Sequence, residues 1–330
     1  MSKNIETEKR PMLKVNQLVE HMKNKNIKFN YISEEEAENY LKYNNNYFNL
    51  SSYKSIFDRY DGGVNDRKFI DLDFAYLKDL SIIDMRLRYL LFQMTIDIEH
   101  YLKIELLNLL ENIPEESGYD IVNEYLEKDF YENKRVHSSI FKKIGDTLYK
   151  EFFEKYNLKE NEQIKDVPIW EFLEIISFGE LTSFYNMFAE KYELKKQAKR
   201  KYMLIEINKL RNAAAHNACI LCDINKKDNF NGVDFRILSL LGKCGIGEES
   251  RKIKLANTRI RQITYTLFMF NDIVSSEGVK KQITKEINNL FYDRIIYHKN
   301  YYNNNELLKS VYDYFDKIIS KYYFITSKEM

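Results

Sequence analysis

The chain has 330 residues, 44% hydrophobic and 31% charged, which is enough apolar material for a substantial core in one large domain or two. A formal net charge of +1 excludes the strongly basic body that announces a nucleic-acid binder by charge alone. Ten glycines and three prolines are too few for the many tight turns of a β-sandwich, so long helices are expected.

The stretch up to Pro11 is polar, has no signal-peptide core and reads as a disordered lead. Val15, Leu18, Val19 and Met22 form a helical stripe, which predicts a helix over 12–24. Ser33 and Glu36 have the spacing of a capping box and open a helix to about Tyr43. Residues 47–60 are aromatic and ambiguous, and Asp61-Gly62-Gly63 is a turn. A helix is predicted over 72–80, then a fresh start at Ser81–Asp84 and an unbroken run to Glu111 ahead of Pro114. This run is apolar on several sides, the mark of a helix central to its bundle. Its polar residues, among them Arg86, Gln93, Asp97, Glu99 and His100, therefore need partners. Buried hydrogen bonds or a Glu99–Lys103 pair are the simpler reading. The other reading has Glu99 or His100 face the helix around residue 211 and orient a histidine there.

Further helices are predicted at 120–131, 139–156, 168–176 and 180–192, the last entered through a Ser177–Glu180 capping pair. From Lys191 to Lys201 six basic residues (Lys191, Lys195, Lys196, Lys199, Arg200, Lys201) face one acid, Glu193. Such a run is a solvated helix face or, placed here, a phosphate-tracking groove; the two weigh about equally. A helix is predicted from Lys201 to Ile220, with Met203, Leu204, Ile207 and Leu210 on one side. Residues 225–250 read as a loop with a short strand at 235–241, and form the best candidate boundary. Helices resume at 251–273, 279–294 and 306–321. No apolar run reaches the ~18 residues of a spanning helix. Cys219, Cys222 and Cys244 are too few and too irregular for a disulfide framework, which suits a reducing cytoplasm.

The sequence centres on Arg211-Asn212-Ala213-Ala214-Ala215-His216. His216 can exchange a proton near neutral pH, and Arg211 keeps its charge and can fork two donors onto a phosphate. Asn212 is a neutral hydrogen-bonding group, and the alanines keep the helix surface low. The bland reading is a polar helix turn whose histidine caps or packs. On a straight helix Arg211 and His216 point about 140° apart, so one helix alone does not converge them. Zinc at His216, Cys219 and Cys222 lacks a fourth ligand other than Cys244, and buried free thiols on a continuous helix account for the pair better. No metal site and no cofactor are expected, since phosphate loops, metalloprotease motifs and paired nuclease acids are absent.

Four stretches resemble the abortive-infection (Abi) proteins of the AbiD/AbiF type, of the HEPN ribonuclease superfamily. They are Val15-Asn16-Gln17-Leu18 through Tyr53; Phe74 to Leu106 with Met85-Arg86-Leu87-Arg88-Tyr89; Pro168-Ile169-Trp170 with Ser177-Phe178-Gly179-Glu180-Leu181; and Leu210-Arg211-Asn212 with Ala215-His216. One departure is Asn217, where many relatives carry a second histidine. The resemblance implies an all-α HEPN-type bundle, with an N-terminal helical cap (1–70), a core (71–225) and C-terminal helices completing or extending it (226–330). It further implies a metal-independent endoribonuclease that serves as a toxin in phage defence and leaves 2′,3′-cyclic phosphate ends. Arg211, Asn212 and His216 would be catalytic, Glu99 and His100 supporting, and Lys195, Lys196, Lys199, Arg200 and Lys201 would grip RNA. RNA is the expected partner, both as substrate and as a regulatory small RNA, together with a second copy of the chain in a homodimer with a composite site. The rival expectation is a non-catalytic RNA-binding or interaction module.

Overall fold

The computed structural model describes residues 11–159, 162–228, 232 and 234–323, so all of the expected lead except Pro11 lies outside the described residues. The described chain is all-α, with two isolated bridges (Lys28 with Asp73, Arg59 with Phe69) and no sheet among the described residues. Three helices lead in: α1 (Val15–Asn24), α2 (Glu34–Tyr43) and α3 (Tyr47–Ser52). The Ser33 hydroxyl caps α2 through the Glu36 amide, and Glu36 returns the bond to Ser33, as the spacing predicts.

The axis is α4 (Phe74–Leu110), 37 residues without a break. The expected fresh start at Ser81 is corrected: the Ser81 hydroxyl donates to Lys78 O within the helix and meets Tyr40 OH, so no cap forms. The true N-cap is buried Asp73, which accepts from the amides of Ala75 at 2.9 Å and Asn30 at 2.8 Å. Beyond it lie α5 (Asp120–Glu132), α6 (Arg135–Phe141) and α7 (Lys150–Tyr156); the single helix expected over 139–156 is split at Gly145, whose φ of 89° is left-handed. Then come α8 (Ile169–Ile175), α9 (Phe178–Lys191), α10 (Lys195–Ala198) and α11 (Lys201–Ala215).

The C-terminal third holds α12 (Phe235–Lys243), α13 (Glu248–Leu255), α14 (Thr258–Ile273), α15 (Glu277–Asn288), α16 (Ile295–Tyr297) and α17 (Glu306–Tyr322). The strand expected at 235–241 is instead α12. Asp234 caps it through the Arg236 amide, and Ile237 and Leu241, one turn apart, are its buried face. Asn257 interrupts the run expected over 251–273 by capping α14 through the Ile260 amide at 2.9 Å. A π-helical turn over Asn289–Arg294 ends α15 and sets Arg294 on buried Asp79 of α4 at 2.5 Å.

The core forms where α4, α11 and α14 pack on one another, with α9 against α4 and α11. One buried apolar cluster runs from Val19 to Tyr323. No helix is long and apolar enough to cross a membrane among the described residues.

A polar node pins this junction. Arg200 is only 1% exposed; it donates to Glu105 of α4 at 2.6 Å, Tyr185 of α9 at 2.7 Å and Asp272 of α14 at 2.9 Å. The expectation that Arg200 grips RNA is corrected by this burial: its donors are spent inside the protein. Removing the guanidinium strands two carboxylates in a partly buried pocket, so Arg200→Met is expected to lower stability by about 3 kcal/mol in urea denaturation, and a loss below about 1 kcal/mol would contradict the assignment. Lys195→Ala, on the exposed face, is expected to stay within about 0.5 kcal/mol.

Candidate active site

Helix α11 forms because Met203, Leu204, Ile207, Leu210 and Ala214 recur at helical spacing and are buried against α4, α9 and α14. Its end differs from expectation. The helix stops at Ala215 rather than continuing to Ile220, and His216 is its C-cap. Asn217 takes a left-handed φ of 54°; its amide donates to Ala214 O and the Ala218 amide to Ala213 O, which completes a Schellman motif. Asparagine is the commonest substitute for glycine in that conformation, so Asn217 has a structural role in turning the chain away just after the histidine.

Beyond the turn, the chain is held by one carboxylate. Asp84 of α4 is fully buried; its Oδ1 accepts the amides of Ile220 at 2.8 Å and Leu221 at 2.7 Å, and its Oδ2 accepts Arg88 Nη1 at 2.5 Å. Burial raises the Asp84 carboxyl above its ordinary value, against the Leu221 amide and the Arg88 charge, which pull it down. Sequence reasoning missed this residue because the same Ser-Ile-Ile-Asp stretch resembles a helix start. Its only signal was a carboxylate on a helix otherwise apolar on that side.

The motif residues therefore gather at the C-terminal end of α11. Arg211 is half-buried and its Nη1 donates to Asn212 Oδ1 at 3.1 Å, while its Nε is buried with no hydrogen-bond partner among the described residues. Asn212 and His216 are exposed, and the His216 ring has no hydrogen bond or ion pair among the described residues. Glu99 is half-buried on α4 and lies within the field of Arg211. Burial pushes its carboxyl above the ordinary value, Lys103 and Arg211 oppose this, and Glu174 reinforces it. Of the two supporting candidates, then, Glu99 is brought to the motif. His100 is exposed and packs edge-on against Tyr101 at 5.1 Å; burial raises the nearby Asp97 carboxyl, and His100 opposes that.

The basic run is dispersed. Lys195 and Lys199 are exposed and carry no ion pair among the described residues, whereas Lys196 sits 3.7 Å from Asp272 and Lys201 3.0 Å from Glu190. About 22 Å of helix separates Lys201 from His216, by the rise per residue. An open groove of about 720 Å³ runs beside α11 between α5 and α9, with Lys201, Ile205, Asn208 and Lys209 on its wall. Asn212 and His216 continue that helix face, one and two turns past Asn208. Lys128 and Arg135 join Lys201 and Lys209 there, but Asp129, Glu132, Glu180 and Glu190 balance them, so the groove supplies shape more than positive potential. No group of three or more His, Cys, Asp or Glu side chains is placed to hold a metal among the described residues.

Glu99 gives a test of whether this arrangement is strained. A carboxyl raised on folding adds stability below its unfolded value, about pH 4.3, and loses it as pH rises through the folded value. Glu99→Gln is therefore expected to melt higher than the parent chain at pH 7 and to match it near pH 4 in thermal unfolding. Equal melting temperatures at both pH values would show that the carboxylate is relaxed in place.

Comparison with known proteins returns one family. The model of the Abi-like proteins matches residues 39–221, more than half of the chain and inclusive of α4, α9, α11 and the Arg211–His216 motif. No curated protein and no solved structure matches the chain. On the extent of that match the chain belongs to the Abi-like family.

Proposed function

We propose that this Abi-like protein is a metal-independent endoribonuclease that acts in abortive infection, with Arg211, Asn212 and His216 at its centre. The observation that carries the reading is the pairing of an exposed, unengaged imidazole with a guanidinium held by its own neighbour at one helix end. His216 takes the proton from a ribose 2′-hydroxyl, whose oxygen attacks the adjacent phosphorus; the P–O5′ bond breaks, the 5′-oxygen leaves with a proton taken from water, and a 2′,3′-cyclic phosphate remains. Arg211 neutralises the charge that builds on the phosphorane oxygens. Asn212 acts one step back, since its Oδ1 occupies one Arg211 donor and fixes the plane of the fork. Glu99 sets the charge balance behind that guanidinium.

A lone His216 with no orienting partner is a poor base, and this supports the two-fold arrangement. Two copies of α11 facing across a dyad offer two arginines and two histidines to one cleft. Single-stranded RNA suits the reading, because the strand must bend to align its 2′-oxygen with the leaving oxygen. The groove along α5, α9 and α11 leads to His216 on the same helix face. Lys195 and Lys199, at the far end of α11, remain the candidates for gripping RNA, whether substrate or regulator.

His216→Ala is expected to slow cleavage of single-stranded RNA by about 10²-fold or more, which is the contribution of a positioned general base. Cleavage by the parent protein is expected to survive EDTA and to fail when the ribose at the cut is 2′-deoxy. RNA binding that persists in both proteins, with no cleavage by either, would replace the enzyme by a non-catalytic binding module.

A further inference from the structure

Three residues past His216 the chain carries two thiols, Cys219 and Cys222, and both are half-buried. They do not lie on a continuation of α11, as the sequence suggested, but on either side of the bend that Asp84 holds. The Ile220 and Leu221 amides, between the cysteines, are the two it binds. Each sulfur lies on the other residue's backbone. The Cys222 amide donates to Cys219 Sγ at 3.2 Å, and Cys222 Sγ donates to Cys219 O at 3.5 Å. The 3₁₀ turn over Leu221–Asp223 begins after Cys219, with Ile220 as its N-cap, so these two sulfur–backbone contacts are what set the thiols side by side.

We propose that Cys219 and Cys222 are a redox-active dithiol that closes to a disulfide under a hydroperoxide and thereby switches off the adjacent Arg211–Asn212–His216 site; the second half rests on the nuclease reading above.

The chemistry is balanced by the two thiols and the oxidant. The Cys219 thiol donates to the Cys222 sulfur, which draws the Cys222 thiol below its ordinary value and pushes that of Cys219 up. Cys222 thiolate attacks the hydroperoxide: an S–O bond forms, the O–O bond breaks, and an alcohol leaves. Cys219 sulfur then attacks the sulfenic acid: the S–S bond forms, the S–O bond breaks, and the Cys219 proton departs with the oxygen as water. Two thiols are oxidised and one hydroperoxide is reduced. Cys244 caps the C-terminal end of α12, and burial pushes it up to about 11, so it holds its proton and reacts slowly.

Closure has a direction. A disulfide draws the two Cβ atoms to about 3.8 Å. Ile220 and Leu221 are clamped by Asp84, so the chain gives on the other side of Cys219, at Ala218 and the left-handed Asn217. These two residues carry the hydrogen bonds that cap α11 and set His216.

The experiment treats the folded protein with hydrogen peroxide, then unfolds it and counts thiols with a polyethylene-glycol maleimide, with RNA cleavage measured in parallel on the folded full chain. The protein has three cysteines. Three adducts are expected before oxidation, one after it, and three again after dithiothreitol, a reversal that separates disulfide from methionine or sulfinic oxidation. Cys244→Ser is expected to lose both remaining thiols together, and Cys219→Ser to lose at most the single Cys222 thiol, as a sulfenic acid that dimedone traps. Three reactive thiols after peroxide, or loss of only one thiol in Cys244→Ser, would overturn the dithiol. Cleavage is expected to fall at least tenfold on oxidation and to recover with dithiothreitol, while Cys219→Ser stays insensitive; full cleavage with the disulfide closed overturns the switch. Reversible closure in a protein that cleaves no RNA even when reduced upholds the dithiol and removes the nuclease reading instead.

Discussion

The buried carboxylate of Asp84 fixes how the motif helix meets the rest of the protein. One oxygen takes two consecutive backbone amides from the segment after His216, and the other takes the Arg88 guanidinium. An ionised carboxylate with no exposure is costly unless its lone pairs are filled, and here three donors fill them. The amides come from residues 136 and 137 positions away in sequence, so the contact ties the segment after α11 to the middle of the core helix. It also leaves one solution for the chain leaving α11. The helix must end at Ala215, Asn217 must turn left-handed, and His216 must sit at the exposed rim.

That geometry explains the division of labour at the candidate site. Arg211 lies half-buried against the α4 side, close enough to Glu99 for the two charges to act on each other, while His216 projects into solvent. The guanidinium is thus held by the fold, while the imidazole has no partner among the described residues. On the two-copy reading proposed above, such a site would stay silent in one copy and be completed on assembly. The thiols at Cys219 and Cys222 lie on the same short connection, so any covalent change there acts on the turn that places His216.

Much of this was legible in the residues. Both capping boxes, the stripe on α11 and the all-round apolar pattern of α4 follow from side-chain spacing, and each appears in the structure. What escaped was set by partners far away in the chain. Arg200 sits in a run of lysines and looks like one of them; only Glu105, Tyr185 and Asp272 reveal that it is buried. Asp84 looks like a helix start because the amides that donate to it lie beyond residue 219. Asn217 is not the glycine that usually ends a helix, so the stop at Ala215 was invisible until its Schellman bonds were seen. Over residues 235–241 a short strand was expected, but the carboxylate cap at Asp234 and burial of Ile237 and Leu241, at i and i+4, make it a helix. Glu99 was legible only as one of two possibilities; it is half-buried within the field of Arg211, whereas His100 is exposed.

The central claim is that the reacting groups come together from two copies of one helix. Mixed dimers test it directly: a chain carrying Arg211→Ala is co-expressed with a differently tagged chain carrying His216→Ala, and the tandem-purified heterodimer is assayed on single-stranded RNA. Each parental homodimer lacks one kind of group entirely and is expected to be inactive. The heterodimer keeps one arginine and one histidine in a shared cleft, and measurable cleavage is the predicted result. A heterodimer as inert as its parents would place the chemistry within a single chain and contradict the account.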